Sequence, residues 1–400
     1  MCLGDREFSP ELEARLIGTA AQTKSFRLAR VVARLWCDQT GCVRSVARLA
    51  EAFGTELVAK RNTLVEEFTH HREEPEGIDP QHDLVAVFVD GGRVQIRDDR
   101  WGVATPPGEK KTFWREDRIA RLQTMTTACH SVDPCPELPE CFHQPVLHAV
   151  GASDDSLANP GEFPDRLAAP ADTPVEPRWQ PAPLVRTGVA TMQPLDGFRW
   201  MVQAEAKRRH FFTAKKRAFV ADGSAANWSL QAKHFADFVP ILDFVHAAEY
   251  LHAARKALGL VTTECHWVLD LWQGRSLEVI AALRQMLDER GVGLERLDGD
   301  HTLRPVQQAW TYLSNASDKL AYPKYRQEGL PCTSSLIESQ IKEFNGRLKG
   351  TEKFWNKDNA EAMLELVNWT LRNDGKTLQQ QFDTRSTSPF RRSASNTLAA

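Results

Sequence analysis

Two short apolar runs, LVAVFV (Leu84 to Val89) and AFVA (Ala218 to Ala221), each end in an aspartate followed by glycine. A run of four to six β-branched and aromatic residues without polar alternation reads as a strand buried on both faces. A carboxylate at the end of such a strand costs several kcal/mol to bury ionised unless donors or a cation meet it. If the two strands are neighbours in one sheet, Asp90 and Asp222 come together at one edge, and two like charges held close call for a cation between them. Hard oxygen ligands select Mg²⁺ or Mn²⁺. This constrains the chain to an α/β fold.

Around these strands the chain alternates. Residues 9–71 carry helical spacing, with Leu28, Val31, Val32 and Leu35 on one face. Within them, RSVARLAEAFGTELVAKRNTLVEEF offers Ser45 as a cap, a short helix to Phe53, a turn at Gly54 and a second helix. This is the outline of a helix-turn-helix, which an ordinary helical hairpin matches equally. After Val89, Asp90-Gly91-Gly92 reads as a tight turn, Val94 and Ile96 as a second strand, and Lys111 to Met125 as a third. From Pro134 to Pro194 lie 12 of the 22 prolines, too many for regular helix or a central strand. A helix follows through Met201 and Ala204 to about Ala214, then the strand ending at Asp222, a strand over Phe238 to Phe244, and the helix HAAEYLHAARKALG. Residues 267–325 read as several helices.

The organisation is thus a helical N-terminal region (1–75), a first part of the core (83–131), a proline-rich insertion (132–195), a second part of the core (196–262), a helical insertion (263–330), a helical C-terminal part (331–384) and a tail (385–400) too poor in apolar residues to pack.

The last long helix, in PCTSSLIESQIKEFNGRLKG, supplies a third acid. Ile337, Ile341, Phe344 and Leu348 form its packing stripe, and Glu338, Lys342, Asn345 and Lys349 run beside it. Glu338 sits in the first turn, where it can face the sheet edge. Ser335-x-x-Glu338 is also a capping box, in which the glutamate satisfies a backbone amide.

The order and setting of these residues resemble the DDE transposases with a ribonuclease-H-like core, in particular bacterial insertion-sequence enzymes related to the mutator-like group. The resemblance runs from about Leu84 to Leu371, through FVDGGR, FVADGSAANW with ILDFVHAAEYLHAARKALG, VIAALRQMLDERG, and YRQEGLPCTSSLIES with GRLKGTEKFW. It implies a ribonuclease-H-like mixed sheet with flanking helices, with Asp90, Asp222 and Glu338 as catalytic acids and metal ligands. The reaction implied is strand cleavage and strand transfer at the ends of a mobile element, with two Mg²⁺ or Mn²⁺ ions about 4 Å apart. The partners implied are element ends and target DNA, and a homo-oligomer on DNA. Asp243 and His246 stand where related transposases often place a polar residue near the second acid; a helix cap and a half-buried histidine explain them equally. Two alternatives stay open: a decayed or domesticated DNA-binding relative, and a ribonuclease-H-like nuclease.

Charge narrows the DNA-contacting candidates. The net charge is only −3, so attraction to phosphate has to come from local clusters. Lys24 to Arg48 holds one such cluster, and Ala206 to Arg217 carries six Lys or Arg and no acid. After the glutamate, Lys342, Arg347, Lys349 and Lys353 face only Glu343 and Glu352, and Trp355 is a stacking or core residue. Cys129, His130, Cys135, Cys141 and His143 are zinc-ligand types, but their spacing does not match the short Cys-x₂₋₄-Cys knuckles, which argues against zinc. Eight cysteines in a long chain without an export signal point to reduced thiols, and no run of about 18 apolar residues marks a membrane span. A cytoplasmic, nucleoid-associated protein is expected.

Overall fold

The computed structural model describes residues 8–37, 41–71, 82–97, 113–143, 179–260, 265–298, 300–350 and 353–383. The chain divides into two compact units: Met1–Thr126, Pro183–Pro240 and Ser334–Ala400 form the first, Thr127–Ala182 and Ile241–Thr333 the second.

The first unit begins with three helices, α1 (Pro10–Gln22), α2 (Phe26–Ala33) and α3 (Val43–His71). Ser9 and Ser25 start α1 and α2 by accepting the amides of Leu12 and Leu28, and Pro10 opens α1 where no intrahelical donor is needed. The turn expected at Gly54 is absent, because α3 is one helix of 29 residues. Gly54 serves packing instead: a Cβ there would lie 2.3 Å from the carbonyl oxygen of Ala362 on a neighbouring helix. The helix-turn-helix centred on Gly54 is therefore corrected. So is the apolar face proposed for the preceding segment, since α2 buries Ala29 and Ala33 while Leu28, Val31 and Leu35 are exposed.

The sheet has five strands, β1 (Leu84–Gln95), β2 (Trp114–Thr126), β3 (Ala182–Thr191), β4 (Lys216–Ala221) and β5 (Val239–Leu242), in the order β3-β2-β1-β4-β5. It is mixed: β1 runs antiparallel to β2 and parallel to β4. The hairpin expected at Asp90-Gly91-Gly92 is corrected as well, because β1 continues through both glycines to Gln95, opposite Trp114. Glycine inside a strand marks a close approach, and a Cβ on Gly92 would meet the Asp117 carboxylate at 2.9 Å. The region expected as a proline-rich excursion contains β3; residues 144–178 and the tail from 384 lie outside the described residues.

One sheet face packs Val85, Val87, Val89, Leu122, Phe219 and Ala221 against α4 (Leu195–Arg208) and α5 (Ala225–His234). The second unit holds α6 (Phe244–Ala257), which the sequence groups with the second part of the core, and then α7 (Trp267–Trp272), α8 (Ser276–Asp288), α9 (Arg304–Asn315) and α10 (Tyr322–Gln327), helices in the stretch 267–325 where several are expected. Its centre is Trp272, fully buried, with Phe244 and Phe142 rings at 4.7 and 5.8 Å and the Arg326 guanidinium 3.9 Å above its ring. Arg326 is neutralised by Asp133, to which its Nε donates at 2.8 Å. The chain returns to the first unit as α11 (Ser335–Leu348), α12 (Lys357–Thr370) and α13 (Leu378–Asp383). Among the described residues no helix is long and apolar enough to cross a membrane.

Candidate active site

The register of β1 and β4 brings two of the expected acids together. Val89 and Ala221 are the last paired residues of these parallel strands. One step further on each chain stand Asp90 and Asp222, on neighbouring strands whose axes are about 4.8 Å apart. Side chains alternate along a strand, so both acids project from the face opposite the α4 core, together with Ala86 and Phe88 of β1 and Ala218 and Val220 of β4. Each is half-buried. Asp222 is met by local donors: its Oδ1 accepts the Ser224 amide at 3.1 Å and Asn227 Nδ2 at 2.7 Å, a turn that launches α5. Asp90 Oδ1 accepts the Gly91 amide at 2.6 Å.

The same face is covered by α11, which packs on β1 and β2. Its stripe of Ile337, Ile341, Phe344 and Leu348 is buried as the helical spacing requires. Arg121 of β2, opposite Phe88, fixes the start of the helix by donating from Nη1 to the Leu336 carbonyl at 2.6 Å. Burial pushes this guanidinium down to about 10. Glu338 lies in that first turn, half-buried. Ser334, one residue earlier than the capping box predicts, occupies the cap position, and its hydroxyl donates to Glu338 Oε1 at 3.2 Å. Among the described residues no group of three His, Cys, Asp or Glu side chains is gathered closely enough to hold a metal ion. The donor set, two carboxylates side by side and a third on the helix above, still has the chemistry of a hard divalent cation.

A fourth acid on this face escapes sequence reasoning. Asp117 of β2 pairs with Gly92, two positions beyond the Asp90 pair on the same side of the sheet. It is almost wholly buried and its Oδ1 has no hydrogen-bond partner. Burial raises its carboxyl from 3.8 to about 6, against the pull of Lys349. A raised folded value means that ionisation opposes folding: the penalty, about 3 kcal/mol at most, is complete above pH 6 and vanishes below pH 4. Asp117→Asn is therefore expected to raise the urea midpoint at pH 8 and to leave it unchanged near pH 3.5. In WREDRIARL nothing separates Asp117 from a solvated strand residue until the register is known.

Neither a protein-family model nor a curated protein matches the chain.

Lys342 is exposed on α11, and Lys349 is half-buried at its end. Arg347 does not face solvent: it is buried, donates to the Ala20 carbonyl at 2.8 Å, and lies 4.2 and 5.2 Å from the Phe26 and Trp355 rings. Its assignment to DNA contact is corrected, because the guanidinium ties α11 to the N-terminal helices. Lys353 also turns inward, donating to the Gly346 and Arg347 carbonyls at 3.1 Å each. That position caps the negative end of α11, and burial pushes the ammonium down to about 8. Trp355 is buried and donates to the Leu348 carbonyl, so it is a core residue.

The basic run from Ala206 to Arg217 is largely consumed inside the first unit. Arg208 pairs with Glu205, fully buried Arg209 donates to the Leu122 carbonyl, Lys215 pairs with Asp83, and Arg217 with Asp237. Asp243 and His246 belong to the second unit. Asp243 is buried as the N-cap of α6, accepting the Val245 and His246 amides, and the His246 ring lies 3.4 Å from Glu249. These contacts give both residues a structural role within that helix. In the cysteine-rich segment Cys129 and Cys141 are exposed and Cys135 donates to the Glu137 carbonyl.

Proposed function

We propose that this chain is a metal-dependent DNA transposase of the DDE type, built on a ribonuclease-H-like core. The observation that carries the reading is the placement of Asp90 and Asp222 at the next register position of parallel neighbours, on the face covered by the helix whose first turn holds Glu338.

In this reading Asp90 and Asp222 hold a pair of Mg²⁺ or Mn²⁺ ions, with Glu338 as the third arm. Bound there, the ions would lower the pKa of an attacking water or 3′-hydroxyl and stabilise the leaving oxygen of an in-line displacement. The chain's own contribution is positional. Asn227 and the Ser224 amide orient the Asp222 carboxylate, Arg121 anchors the turn that carries Glu338, and Lys342 offers a charge to the DNA backbone. The same centre serves hydrolysis that frees a 3′ end and attack of that end on a second duplex.

The test is an assay of purified protein in Mg²⁺ or Mn²⁺ with supercoiled plasmid and with duplexes made from the DNA on either side of its coding region. Nicking and joining support the reading. A second reading, a DNA-binding relative without catalysis, draws on the fact that among the described residues no three acids are already gathered around a metal position; DNA binding without nicking would favour it. Because Lys342 is exposed, Lys342→Glu is expected to weaken binding to all sequences alike and to lower the slope of log affinity against log salt by about 1. A filter-binding titration across salt concentrations measures this.

A further inference from the structure

We draw no further inference here: the strongest candidate, the exposed surface patch along α2 and its C-terminal end formed by Leu28, Val31 and Leu35 with Arg27 and Arg34, carries nothing because nothing in the structure shows what covers it.

Discussion

Asp90→Asn, Asp222→Asn and Glu338→Gln are each expected to reduce metal-dependent DNA nicking by about 10³-fold or more, equivalent to roughly 4 kcal/mol of lost transition-state stabilisation. The size of the effect follows from cooperation. A divalent ion held by three carboxylates loses both affinity and position when one becomes an amide, and displacement at phosphorus depends on positioning and charge stabilisation more than on proton transfer by side chains. Folding is expected to survive each change, since all three side chains are half-buried and meet donors that an amide oxygen can also accept from. Circular dichroism and urea midpoints measured beside the nicking assay separate loss of the site from loss of the fold. Retained activity in any one variant would remove that residue from the centre.

The second large effect lies far from the acids. Gly54→Ala is expected to destabilise the protein by about 3 kcal/mol, the upper end of ordinary overpacking costs. The added methyl would sit 2.3 Å from the Ala362 carbonyl oxygen and 2.8 Å from its carbon. Those are backbone atoms of α12, which cannot step aside as a flexible side chain can. The sign is informative because glycine to alanine within a helix otherwise stabilises by about 1 kcal/mol. Gly18→Ala in α1, where a Cβ meets nothing within 4 Å, is the control and should be neutral or stabilising. A fall in the urea midpoint for Gly54→Ala with none for Gly18→Ala places the cost in the α3–α12 contact.

Gly54 also shows where sequence reasoning stops. Glycine in a helical pattern reads as a turn, and only the close passage of α12 explains why this one lies inside a continuous helix. Gly91 and Gly92 misled in the same way, because room for the Asp117 carboxylate looks identical to a tight turn until β2 is paired with β1. The central strands were legible since β1 and β4 are buried on both faces and so carry apolar runs without alternation. Edge strand β3 was not, because prolines at its start mask it; an edge strand tolerates them where a central one does not. Asp90, Asp222 and Glu338 are candidates that apolar runs and helix spacing single out, although Asp90 lies inside β1 and not at its end. The burial of Asp117 and Arg347 is not legible in this way, since it is decided by partners far away in the chain.

The most direct measurement is a crystal structure of the protein soaked in Mn²⁺, with the ion located by its anomalous scattering. The account predicts a peak between the Asp90 and Asp222 carboxylates with Glu338 within reach, and its disappearance in Asp222→Asn. A well-ordered sheet with no peak at that pair, or with the ion bound only elsewhere, would contradict it.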